Sequence, residues 1–232
     1  MADRGKLTHP LPAPTVLTVA LDSVHVAPVS EETFCIAAPA GLKSGTGRVR
    51  LLSLLKAPAL PFPDMAEAKV PVVDGQVDMR GHILIAAFNR YGDGNTPPFI
   101  GLIKGYTLKE GAVASKLAHD SHNLIVLGSN RADMALAANT VLAMKGGMAA
   151  VLQGKALAQL PSPVGGLMTT GPVDAIAPEA AAFRKAIASL GLDLKSPILP
   201  FAVFTLPAGF GAKVTDQGIW DANKKALAPL FV

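Results

Sequence analysis

With 232 residues, half of them apolar and only 16% charged, the chain can bury a sizeable core as one large domain or two small ones. The net charge is +4, but lysines and arginines are scattered and aromatic residues make up 5%. That excludes the basic, ring-bearing face that nucleic acid requires. No apolar run approaches the roughly 18–20 residues of a membrane span, and one cysteine, Cys35, rules out an internal disulfide and fits a reducing cytosol.

The opening residues, Met1 to Lys6, are not followed by an apolar signal core, so no secretory leader and a cytoplasmic location are expected. Residues 1–14, with Pro10, Pro12 and Pro14, read as an extended arm. Residues 15–60 read as a small β portion, with strands over 15–21, 34–37 and 48–55. Cys35 falls within the second of these and is expected to be a buried, inert thiol. His25, between two valines, is expected to face solvent. The proline-rich stretch 58–63 is a crossover or a seam. Residues 69–78 read as a hairpin with Asp74 and Gly75 at its tip, and Pro71 places that strand at an edge.

From residue 61 onward one larger domain is expected. Ile83–Phe88 is a fully apolar strand, followed by a polar turn containing Asp93, Gly94 and Asn95, and then a strand over 99–103. Ser129 or Asn130 caps a helix whose Met134, Ala137, Ala138, Val141 and Leu142 share one face, and Gly146 and Gly147 stop it. Residues 148–152 and 155–160 form a hairpin through Gln153 and Gly154. A second helix is expected from about Pro178 to Leu190, with Phe183, Ile187 and Leu190 buried. Residues 201–206 read as the last strand, and 209–211 and 215–218 as loops. The fold class is α+β, a mixed or antiparallel sheet with two main helices.

Chemistry concentrates in one block, His119, Asp120, Ser121, His122 and Asn123. It lies between apolar runs that cannot bury it without partners, at about 1–3 kcal/mol for each unpaired group. His119 and His122 are spaced to share a metal, with Asp120 beside them, but a catalytic site needs about three protein ligands. His82, Asp93, Asp133 and Asp216 are the candidates for the rest. Asp120 with either histidine also makes a general acid/base pair. The alternative is a polar turn whose side chains cap the backbone. Lys104, at a strand end, is a candidate anion contact, and Asp216 a candidate carboxylate.

This block continues upstream through Gly101, Lys104, Gly105, Gly111, Ser115 and Lys116. It is followed by Asp133-Met134, Asn139, Gly146-Gly147-Met148, Leu160-Pro161, Gly165-Gly166-Leu167-Met168 and Thr215-Asp216-Gln217-Gly218. In order and spacing these resemble the C-terminal domain of bacterial adenine deaminases. The resemblance implies a cytoplasmic hydrolase acting on a C–N bond of a purine-like or cyclic amidine or amide substrate, assisted by a divalent metal (Zn, Mn or Fe). His119, Asp120, His122 and Asp216 would be catalytic, and His119 and His122 metal ligands. Arg90, Tyr91, Lys104, Ser121 and Asn123 would bind substrate. It also implies a preceding metal-bearing (β/α)8 barrel, for which these residues have neither a His-x-His strand nor room. Where the family shows Arg-His before its glycine turn, this sequence has Arg90-Tyr91. The alternatives are a module without chemistry of its own, either completing a separate barrel subunit or forming homo-oligomers, and a small-ligand binding domain.

Overall fold

The computed structural model describes residues 2–4, 6–10, 15, 18–54, 62–91, 96–192 and 199–232. The expected turn at 93–95 and most of the proline-rich stretch 58–63 lie outside them. β1 (Ala2–Asp3) and β2 (Lys6–Leu7) form a small ladder of their own. The main sheet comprises β3 (Gly45–Ser53), β4 (Asp64–Val73), β5 (Gln76–Val77), β6 (Ile83–Phe88), β7 (Phe99–Lys104), β8 (Ala112–Ser115), β9 (Leu124–Gly128), β10 (Gly147–Leu152) and β11 (Lys155–Pro161). Their order is β11-β10-β8-β9-β6-β7-β3-β4-β5. β3 pairs with β7 in parallel, and the other neighbours are antiparallel. The sheet is therefore mixed and the class α+β. β3, from the portion before residue 60, is a member of this same sheet.

Both faces of the sheet are covered, which is why β6 and β9 are continuously apolar rather than alternating. Leu84, Ala86, Phe88, Leu124 and Val126 pack on one side with helix α1 (Arg131–Ala143). Ile85, Ala87, Ile125 and Leu127 pack on the other with α2 (Val173–Ser189) and α3 (Leu199–Thr205). That second side also carries a three-stranded sheet of β12 (Ala212–Thr215), β13 (Gly218–Asp221) and β14 (Ala226–Ala228). Among the described residues no helix is long and apolar enough to cross a membrane.

α1 follows the expected face, with Met134, Ala137, Ala138 and Val141 buried. The Asn130 side chain accepts from Asp133 N at 2.8 Å. The helix ends in a Schellman arrangement, Gly146 N donating to Val141 O and Lys145 N to Leu142 O. Its left-handed position is taken by Lys145 (φ 59°) rather than a glycine. Asp133 itself is buried, and its carboxylate accepts from Asn130 Nδ2, Gln153 N and Gly154 N at 2.8–3.0 Å. It thereby fastens α1 to the β10–β11 hairpin. Asp133→Ala strands these donors and is expected to cost about 2 kcal/mol in urea denaturation.

Several expected elements differ. Residues 18–21, expected within a strand, are the 3-10 turn Thr18–Leu21, and a second 3-10 turn, Glu31–Phe34, runs into the start of the strand expected over 34–37. In the second, Ser30 N bonds Thr33 Oγ1 at 3.2 Å, a local bond that competes with a ladder. Of its expected strand only Ala37 makes a bridge, to Gln76. Cys35 is half-buried, with the Arg131 guanidinium at its Sγ. α2 begins at Val173, so Pro178 sits at its sixth residue. The missing N–H there removes only one bond, close to the helix start. Of residues 201–206, expected as a strand, 201–205 are helical. Phe201 and Phe204, three apart, both bury on the second face, and Thr205 Oγ1 bonds Phe201 O at 2.8 Å. Residues 215–218 are the turn of the β12–β13 hairpin, whose strands were not anticipated.

Candidate functional site

The polar block forms a turn at one end of the main sheet, where Ser115 pairs with Ile125 and Phe88 with Leu124. β8 ends at Ser115, residues 116–123 loop out, and β9 returns the chain to the sheet. Within the loop His122 N donates to Ala118 O at 2.6 Å. His122 has φ 52°, and the His119–Asp120 peptide is cis. His119, Asp120 and Ser121 are exposed, His122 is half-buried and Asn123 is buried.

The two imidazoles meet edge to face, their ring centres 5.4 Å apart at 75°. Among the described residues His122 Nδ1 is buried without a hydrogen-bond partner. Burial lowers the His122 pKa, and the nearby His119, Lys116 and Arg90 add to this, against a smaller opposing pull from Asp120. The environment of His122 thus favours its neutral ring, with Nδ1 unpartnered among the described residues.

Behind the rings lies a fixed amide–carboxylate network. Asp216, at the β12–β13 turn, accepts from Asn89 Nδ2 at 2.8 Å and from Asn123 Nδ2 at 2.9 Å. Asn123 Oδ1 accepts from Arg90 N at 3.2 Å, and Asn89 Oδ1 from Tyr91 N at 2.8 Å. Asp216 therefore reaches the cluster, but both its carboxylate oxygens already hold donors. Its place is that of a clasp joining β6, β9 and the small sheet. Ser121 Oγ accepts from Asn123 N at 3.4 Å.

Arg90 is 5% exposed. Its Nε donates to Ser23 O at 3.1 Å and its Nη2 to Gly165 O at 2.9 Å, pinning two loops beneath the turn. The Tyr91 ring, 66% exposed, lies 4.8 Å from the Arg90 guanidinium at the rim. Lys104 lies at the opposite end of the sheet, beyond Ile103, which pairs with Ile83. His82 and Asp133 also lie toward that end, the first next to Ile83 and the second past Gly128, which pairs with Leu84. Neither is brought to the histidines. Asp93 is outside the described residues.

Among the described residues no three or more His, Cys, Asp or Glu side chains converge. His119 and His122 offer at most two metal ligands, short of the three of a catalytic site, so the described residues do not fit a metal by themselves.

Lys116 carries no role in the sequence reading, yet it is fully buried and its Nζ donates to the carbonyl of His122. Its one visible signal was a lysine inside an otherwise apolar run. Asn89, at the end of the apolar strand β6, was missed for want of any motif.

Residues 63–226 match the family model described as the adenine deaminase C-terminal domain. Adenine deaminase of Moorella thermoacetica is 40% identical over 235 residues, covering 100% of this chain and 39% of the relative. Adenine deaminase 2 of Shouchella clausii is 37% identical over 213 residues, 91% of this chain and 36% of the relative. The Cereibacter sphaeroides adenine deaminase is 36% identical, covering 93% of this chain and 37% of the relative. The chain thus spans under two fifths of the length of these curated relatives. The sequence blocks around the histidine turn, the matched residues and the relatives agree: this chain belongs to the adenine deaminase C-terminal domain family.

Proposed function

We propose that this chain acts as the C-terminal domain of an adenine deaminase, presenting the His119–His122 turn to an active site whose metal is held on a barrel domain. That barrel belongs to the same polypeptide or to a separate subunit. The reaction is replacement of the exocyclic amine of adenine by the oxygen of water, giving hypoxanthine and ammonia. A divalent zinc, manganese or iron ion supplies a water acidified toward neutrality.

The observation that carries this reading is the state of the two imidazoles. They are converged, one is favoured in its neutral form and has a buried nitrogen without a partner, and no third ligand joins them, among the described residues. A neutral imidazole held in place is suited to hydrogen-bond a purine edge or complete a neighbouring site. Asp120 and His119, both exposed, would take and return a proton in this reading. Tyr91, at the rim, gives a flat surface beside the turn.

The test is an ammonia assay with adenine. The chain alone, loaded in turn with zinc, manganese and iron, is expected to release no ammonia above the uncatalysed rate. Co-expression with the portion of the Moorella relative that precedes the matched region is expected to restore deamination. Activity in the chain alone would overturn the reading in favour of a self-contained hydrolase. Full activity of the Moorella portion by itself would overturn it in favour of a domain without part in the chemistry.

A further inference from the structure

We propose that Lys116 is the positioning residue of the histidine turn: its amine ties down the carbonyl of His122 and so holds the two imidazoles edge to face. Lys116 is 0% exposed. Its side chain leaves the end of β8 and crosses under the loop to reach a carbonyl six residues on.

The slot it occupies is built from glycine backbone. Lys116 N donates to Gly147 O at 3.0 Å, and Gly147 N to Gly166 O at 3.1 Å. A Cβ on Gly166 would stand 2.9 Å from Lys116 Cε, and one on Gly146 would stand 2.3 Å from Gly166 Cα. A side chain at Gly166 would press on the far end of the lysine, and one at Gly146 would collide with the Gly166 backbone that lines the slot.

The neighbouring cation, Arg90, spends its donors on Ser23 and Gly165 carbonyls. Among the described residues the ion pairs are Arg48–Glu67, Arg80–Asp78 and Lys224–Asp221, so neither Arg90 nor Lys116 has a carboxylate partner. An apolar side chain of the same length would fill the slot without this desolvation. What the amine provides instead is a donor at His122 O. That residue sits at φ 52°, outside the conformation its own side chain prefers. Holding its carbonyl fixes the direction in which the ring leaves the backbone, and with it the approach to His119.

That the turn serves a deaminase rests on the preceding reading; that Lys116 shapes the turn does not. The experiment is NMR of the full chain with labelled histidines. The unsubstituted protein is expected to show cross-relaxation between the His119 and His122 ring protons. Lys116→Met is expected to lose it and to shift both sets of ring signals, with the rest of the fold intact. Lys213→Met is the control, since Lys213 is the other fully buried lysine among the described residues and bonds Phe210 O elsewhere; it is expected to leave the ring contact unchanged. Retention of the contact and shifts in Lys116→Met would overturn the proposal. So would failure of that variant to fold, which would assign the amine to the fold as a whole. Reductive methylation of the unaltered chain with formaldehyde and borohydride gives a second measurement. Lys224, 81% exposed in its side chain, is expected to be methylated while Lys116 is spared, and methylation of both at one rate would also overturn the proposal. None of these readouts involves ammonia release, so the two readings stand or fall separately.

Discussion

At pH 7 the Lys116→Met protein is expected to withstand more urea than the unsubstituted chain. Burial, helped by the nearby Arg90 charge, pushes the Lys116 amine down from 10.5 to about 6. In the unfolded chain the same amine titrates near its ordinary value. Between about 6 and 10.5 the unfolded state therefore holds a proton that the native state has lost. Stability must rise with pH through that window, by up to about 1.4 kcal/mol per unit from this group. It is fully present above the upper value and is lost as pH falls toward the lower one. At pH 7 the shortfall is on the order of 4 kcal/mol relative to strongly alkaline solution. Methionine removes that cost but leaves the His122 carbonyl without its donor, a loss of about 1–3 kcal/mol. The net gain at pH 7 is about 1–3 kcal/mol, shrinking as pH rises and reversing near the upper end of the window. Urea midpoints from pH 6 to 10 read this directly, and a lower midpoint for the variant at pH 7 would refute it. The expected pairing of higher stability with a loosened histidine turn is the familiar cost of building a site.

Elements whose periodicity had one physical solution were legible in the sequence. The apolar faces of α1 and α2, the Gln153-Gly154 hairpin and the runs Ile83–Phe88 and Leu124–Gly128 each carry enough residues to fix helix or strand. Residues 201–206 did not: Phe-Ala-Val-Phe-Thr-Leu suits a strand by propensity, but among the described residues no strand pairs with it. Burial of Phe201 and Phe204 on one side decided for helix. The β12–β13 hairpin was missed because its strands have four residues each and its turn, Asp216-Gln217, lacks a glycine at the tip. At the site, the run from His119 to Asn123 stood out because five polar side chains between apolar strands need partners. Which partners they have is a matter of sheet order. The sequence has Lys104 closer to His119 than Asp216 is, yet the fold sends Lys104 to the far end and brings Asp216 within 2.9 Å of Asn123. Lys116 was hidden for the opposite reason, since a lone lysine in an apolar run ordinarily marks a strand end facing water.

Gly147→Ala is expected to cost on the order of 3–5 kcal/mol or to prevent folding. Gly147 has φ 101°, a conformation that alanine adopts only with strain. Its Cβ would lie 2.0 Å from Leu160 O and 2.8 Å from Ser162 N. Both are backbone atoms, so no side chain can swing away to make room. Relief requires moving the β10–β11 ladder, where Gly147 opposes Pro161 and Met148 opposes Leu160. The same shift pulls on Lys116 N, which bonds Gly147 O, and on Gly166 O, which accepts from Gly147 N. The substitution should therefore disturb the slot beneath the histidine turn as well as the sheet edge. Gly154→Ala separates backbone strain from collision. Gly154 has φ 74°, but nothing lies within 4 Å of its would-be Cβ, so it should cost only about 1–2 kcal/mol. Urea denaturation of the two variants side by side tests the account, and equal losses would mean that the close approach at Leu160 yields easily. A folded Gly147→Ala protein offers one more check: its His119–His122 ring contact should be weakened, whereas that of Gly154→Ala should match the unsubstituted chain.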